Sequence, residues 1–127
     1  MKAVYLAGGA KGVDWQAKVA KLLPGWPLLD PRECKSTNPS EYTEFDLGQI
    51  DKARVFLAYM DSDNPSGYGL AVELGYAYAV GNKHIIFVDA MNENDPRSRY
   101  FDMLRVMSAQ VFKTLPEAAE YLIRWAR

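Results

Sequence analysis

The apolar positions of this chain fall into short continuous runs that alternate with longer stretches of helical period. "AVYLA" (3–7), "WPLLD" (26–30), "VFLAYM" (55–60), "HIIFVD" (84–89) and "AQVFK" (109–113) have the length of strands. The second is short and broken by Pro31, and the third is continuous enough to be fully buried. Amphipathic spacing predicts a helix over about Asp14 to Leu23 and another, capped by Ser40 after the polar loop "RECKSTNPS", to about Ala53. A third helix lies within "SDNPSGYGLAVELGYAYAVGNK" (62–83), with Gly81 and Asn82 as its stop. A fourth is expected near Arg99 to Met107. "LPEAAEYLIRWAR" is a terminal helix with Pro116 in its first turn.

Five strand-then-helix units imply crossover connections, so the expected fold is one α/β domain over residues 1–127. It is a doubly wound three-layer sandwich of the flavodoxin or Rossmann kind, with a five-stranded parallel sheet in the order 2-1-3-4-5. Ligands of such sheets sit beyond the carboxyl ends of the strands, which directs attention to the loops after residues 7, 30, 60 and 89.

Between Asp63 and Lys83 the only charged side chain is Glu73, set in a run so apolar that its helix is expected to be buried on most sides. An ionised carboxylate there is costly unless something pairs with it. A place in the first turn or so of the helix favours an anion and helps to keep Glu73 ionised and nucleophilic. On the preceding helix, Tyr42, Asp46, Ile50 and Ala53 share one stripe, so Asp46 takes a position otherwise suited to an apolar residue. One acid on each of two helices is the layout of a catalytic carboxylate pair, as in retaining glycosidases. The competing readings are a dipole-paired or core-satisfied Glu73 and a solvated Asp46.

Composition narrows the partners. About half of the 127 residues are apolar and the net charge is −1, with no basic cluster, so neither nucleic acid nor membrane is expected as a partner. Cys34 is the only cysteine and the N-terminal apolar run is too short for a signal peptide, so a cytoplasmic protein is expected. His84 has no second ligand at metal spacing and reads as structural. Trp15, Trp26, Tyr76, Tyr78 and Trp125 read as core or interface aromatics, with Trp15 also beside Gln16.

"VYLAGG", "DWQAK", "DPRE", "EFDLGQIDKARV" and "GLAVELGYAYAVGNKHIIFV", in this order from residue 4 to about 88, resemble the nucleoside 2-deoxyribosyltransferase family; "RYFDML" matches more loosely. The resemblance implies that Glu73 is the nucleophile attacking C1′ of a 2′-deoxynucleoside, with net retention through a covalent deoxyribosyl-enzyme. It implies that Asp46 handles the proton of the leaving or entering nucleobase, that Tyr5 orients the nucleophile, and that Gly8, Gln16, Ser66 and Gly69 line the substrate. No metal or organic cofactor is needed. The family also implies a homo-oligomer, dimer or higher, with a site completed by a neighbouring subunit.

Two departures stand out. The six residues before Glu73 are "GYGLAV", where many members place a sugar-binding Asp, so Asp61 or Asp63 would have to reach in. Asp102 stands where the family has an Asn near the sugar 5′ end, and an acid there repels a 5′-phosphate. Lys11, Ser66, Arg97 and Arg99 keep open the related branch that hydrolyses nucleosides or their 5′-monophosphates. A non-catalytic nucleotide-binding module is the third reading, from "GGAKG" and Asp30, although this is not G-x-G-x-x-G. "GYGLAVELG" also echoes phosphoribohydrolases with Pro-Gly-Gly-x-Gly-Thr-x-x-Glu, but the Pro-Gly-Gly and Thr are missing.

Overall fold

The structure, a computed structural model, describes residues 2–9 and 13–127. Its elements are β1 (Val4–Gly8), α1 (Trp15–Leu22), β2 (Leu28–Leu29), α2 (Pro39–Lys52), β3 (Val55–Asp61), α3 (Tyr68–Val80), β4 (His84–Ala90), α4 (Asp102–Met107), β5 (Gln110–Phe112) and α5 (Leu115–Trp125). The strands form one parallel sheet in the order β2-β1-β3-β4-β5, as the alternation of strand and helix predicts. The chain reverses its direction of travel between β1 and β3, whose registers run from Val4 opposite Val55 to Gly8 opposite Tyr59.

Alternation along the strands divides the interior into two cores. Tyr5, Ala7, Phe56, Ala58, Met60, Ile85 and Phe87 face α2, α3 and α4, where Ile50, Leu70, Leu74 and Leu104 meet them. Val4, Leu6, Val55, Leu57, Ile86 and Val88 face α1 and α5, where they meet Trp15, Val19, Ala118 and Leu122.

Local chemistry shifts several boundaries. The cap of α2 is Asn38 rather than Ser40, its Oδ1 accepting from the Ser40 and Glu41 amides at 2.9 and 3.4 Å, while Pro39 occupies the first turn where no amide proton is needed. β2 shrinks to two residues because Pro27 and Pro31 bracket it and withhold ladder donors. The loop after it begins with a 3-10 turn over Pro31–Glu33, capped by Asp30. A second 3-10 turn, Ser98–Phe101, leads into α4. The capping box of α5 pairs Thr114 with Glu117.

The largest correction concerns α3. Its apolar run predicts burial on most sides, yet Leu70, Leu74 and Ala77 alone are buried and Val72 is 69% exposed. Tyr68, Tyr78 and Val80 are also exposed. Next to it, α4 and its leading turn expose Tyr100, Met103 and Val106, the last at 85%. α3 packs against α4, so two neighbouring helices both carry exposed apolar side chains.

Candidate active site

Glu73 is the sixth residue of α3, in its second turn rather than its first, and so beyond the strongest influence of the helix N-terminus. Its Oε2 accepts a 2.7 Å hydrogen bond from the hydroxyl of Tyr5 in β1. Tyr5 is wholly buried and stacks on Phe56 at 5.6 Å between centroids, which fixes where its hydroxyl points. α2 lies alongside α3, held by the Tyr76 hydroxyl donating to Asp51 at 2.7 Å and by Lys83 reaching the carbonyls of Asp51 and Ala53. This latch sets the register of the two helices about one turn beyond the carboxylates, and it brings Asp46 to Glu73.

The two acids lie close enough for one to hydrogen-bond the other through a shared proton. Burial is the main cause that pushes Glu73 up, to about 7, the Asp46 charge adds to it, and the Tyr5 hydrogen bond works against both. Burial also raises Asp46, partly offset by its hydrogen bond with Glu73. Tyr5 is driven far above the phenol range by burial and the neighbouring carboxylates, so it remains a neutral donor. Desolvation therefore outweighs the helix N-terminus, and Glu73 is in balance between acid and carboxylate near neutrality. Asp46 Oδ1 is the one buried side-chain polar atom without a partner among the described residues.

The remaining expected site residues are dispersed. Gly8 ends β1, and a Cβ there would stand 2.6 Å from the Tyr59 carbonyl oxygen and 2.8 Å from the Trp15 ring, so packing alone requires the glycine. Gln16 is buried and its amide donates to the Gly9 carbonyl at 3.2 Å, alongside the Trp15 indole at 3.0 Å. It shapes the strand-one turn. Asp61 Oδ1 accepts from the Asp63 and Asn64 amides at 3.1 and 3.0 Å, and Asp63 is exposed. Neither aspartate is brought into contact with Glu73 in these hydrogen bonds. Ser66 is exposed with its amide on Asn64 Oδ1, and Gly69 lies on the open side of α3 with nothing within 4 Å of an added Cβ. Asp102 is exposed and bonded to Arg105 at 2.8 Å. Lys11 lies outside the described residues.

Of the cations expected to be free for a phosphate, Arg97 is engaged. Arg97 donates to the Ser62 carbonyl at 2.9 Å, to the Asn64 carbonyl, and to Asp95 at 3.0 Å, holding Asp95 well below the usual carboxylate range. Arg99 lies against Tyr100. Sequence reasoning missed this Ser62–Asp95–Arg97 brace, and it missed Asn64, whose amide approaches Gly9. The Asx-rich "DSDNPS" was the available signal. Asp30, offered for a ribose in the dinucleotide reading, is instead clamped by Arg32 at 2.7 Å. His84 sits at the far end of β4, stacked on Trp125 and bonded to Tyr121. Among the described residues no three His, Cys, Asp or Glu side chains converge as a metal cage, and no helix is long and apolar enough to cross a membrane.

Residues 1–91 match the sequence family described as nucleoside 2-deoxyribosyltransferase like. No curated protein matches the chain in sequence. Among solved structures, the fold is similar to a 2-deoxyribosyltransferase of Bacillus psychrosaccharolyticus, at 21% identity over 94% of this chain and 91% of that one, with a TM-score of 0.72. A 2-desoxiribosyltransferase of Leishmania mexicana shares 22% identity over 98% of both chains, with a TM-score of 0.74. A CMP N-glycosidase of Clostridium botulinum shares 22% over 98% of this chain and 99% of that one, with a TM-score of 0.62.

Proposed function

Since this chain belongs to the nucleoside 2-deoxyribosyltransferase-like family, we propose that it exchanges the nucleobase of 2′-deoxynucleosides through a covalent deoxyribosyl-Glu73 intermediate. The observation that carries this reading is the 2.7 Å Tyr5–Glu73 hydrogen bond, with the unpartnered Asp46 Oδ1 beside it. Ionised Glu73 attacks C1′ as the C1′–N bond breaks, its electron pair going to the base, which takes a proton from Asp46. A second base then attacks C1′, expels Glu73 and returns its proton to Asp46, so two inversions leave the configuration retained. The Tyr5 hydroxyl holds the attacking carboxylate in one orientation and stabilises its charge. No step requires a metal or an organic cofactor.

The same intermediate yields to water, which makes N-glycoside hydrolysis the second reading. The exposed apolar surface of α3 and α4 bears on the choice, because a site open beside Val72 and Tyr68 admits water. We propose that a second copy of the chain covers this surface, excludes water and presents Asp102, at the start of α4, to its neighbour's sugar. The engagement of Arg97 by Asp95 and two backbone carbonyls speaks for an unphosphorylated sugar.

The deciding experiment is chromatography of the protein incubated with 2′-deoxynucleosides, their 5′-monophosphates and the ribo counterparts, each with and without a free second base. A new deoxynucleoside bearing the added base is expected. Free base at the same rate with or without the acceptor would make the protein a hydrolase; no product in any mixture would favour a non-catalytic nucleotide-binding module.

A further inference from the structure

The sheet face opposite Glu73 carries a cavity. It measures about 520 Å³ and opens between α1 and the turn into α5. Its walls are apolar, formed by Leu22, Tyr59, Ala90, Leu115 and Pro116. Lys18 and Lys21, one turn apart on α1, line it together with Lys113, just ahead of α5. A volume of this size holds one small molecule rather than a peptide or a helix.

The charges around the mouth are unbalanced. Among the described residues no carboxylate lies within ion-pair distance of Lys18 or Lys21. Lys113 is 3.8 Å from Asp89, but Asp89 is already bonded to Arg105 at 3.0 Å. Glu117 is turned back onto Thr114 by the capping box of α5, accepting its hydroxyl at 2.9 Å. Three lysines from two elements line an apolar chamber, two of them without a carboxylate within ion-pair distance among the described residues, and this complements one kind of guest: an apolar body with concentrated negative charge. Lysine serves such a guest as a point charge for phosphate.

We propose that this cavity is a second binding site, distinct from Glu73, for a small organic phosphate whose apolar body enters the chamber and whose phosphate groups meet Lys18, Lys21 and Lys113. The site has a built-in reporter. Tyr59 in its wall stacks on Trp15 at 5.0 Å between centroids, and the Trp15 indole N–H donates to Gly9. A guest against Tyr59 therefore perturbs the Trp15 indole resonance.

The test is a two-dimensional amide NMR titration of the full chain at low salt with ATP as probe, with tripolyphosphate and adenosine as the charge-only and body-only arms. Saturable shifts are expected at Lys18, Lys21, Leu22, Tyr59, Ala90, Lys113 to Leu115 and the Trp15 indole, with each partial probe binding at least about tenfold more weakly. Lys21→Met with Lys113→Met keeps the apolar stems and should weaken ATP by about tenfold or more with an unchanged circular dichroism spectrum. Glu73→Gln should leave the affinity unchanged. The proposal is overturned if ATP fails to saturate in the millimolar range, or if its shifts centre on Tyr5, Asp46 and Glu73. It is equally overturned if tripolyphosphate binds as tightly as ATP, or if the lysine variant binds like the parent.

Discussion

Tyr5→Phe removes one oxygen atom and, with it, the 2.7 Å hydrogen bond to Glu73, while the ring and its stacking on Phe56 stay. A hydrogen bond to a charged group is worth about 1.5–3 kcal/mol, and each pKa unit corresponds to about 1.4 kcal/mol, so the loss amounts to roughly one to two units. The hydroxyl stabilises the ionised carboxylate, so its removal raises Glu73 further, from about 7 to roughly 8–9. The acid limb of kcat/KM for base release or exchange should move upward by that amount. Activity at pH 6 should fall by about 10- to 100-fold and recover to near the parent level at the alkaline end. Stability carries the matching sign. A carboxyl group raised in the folded state binds its proton more tightly folded than unfolded, so stability falls as pH rises through the folded pKa. Urea denaturation should show the variant losing roughly 1.5–3 kcal/mol more than the parent between pH 6 and pH 9, with little difference below pH 6. A uniform loss of kcat/KM at every pH, with the acid limb unmoved, would refute the reasoning and leave Tyr5 as a packing residue or a direct contact to the sugar.

Other perturbations have equally definite outcomes. Glu73→Gln should abolish turnover yet stabilise the fold above pH 8 by up to about 3 kcal/mol, the worth of a shift from 4.5 to about 7; denaturation curves at pH 5 and pH 9 check this. Asp46→Asn removes both a proton donor and the charge that raises Glu73, so kcat should drop by about 100-fold or more while the acid limb moves below 7, read from a pH–rate profile. Gly8→Ala forces a Cβ against the Tyr59 carbonyl and the Trp15 ring and should cost about 1–3 kcal/mol in a thermal or urea melt. Met103→Glu with Val106→Glu places two charges on the exposed surface of α4 and should convert an oligomer to monomers in sedimentation, with transfer giving way to hydrolysis.

The sheet was legible because each buried strand is a contiguous apolar run, and because parallel pairing leaves few ways to order five crossover units. Glu73 and Asp46 stood out for a related reason: each breaks an apolar pattern, and the pattern supplies the contrast. Features set by individual side-chain orientations did not show. Asn38 takes the cap that Ser40 was expected to fill because Pro39 sits between them, and Asp61 and Asp63 turn out to serve a loop whose form depends on Arg97, more than thirty residues away. The reading of α3 failed instructively. Hydrophobicity around the whole helix predicts burial on most sides, but does not say which of its apolar side chains the rest of the chain reaches, and Val72 and Tyr68 lie exposed.

The two cores on either side of the sheet have an evolutionary consequence. Tyr5 points into the layer of α2 and α3, which carry Asp46 and Glu73, while α1 and α5 pack on the other face of the sheet. Substitutions among Val19, Ala118, Ala119 and Leu122 can therefore drift, or be selected for heat resistance, without disturbing the packing around Tyr5 and Glu73. One half of the core is free to adapt to temperature while the other holds the packing around the paired carboxylates.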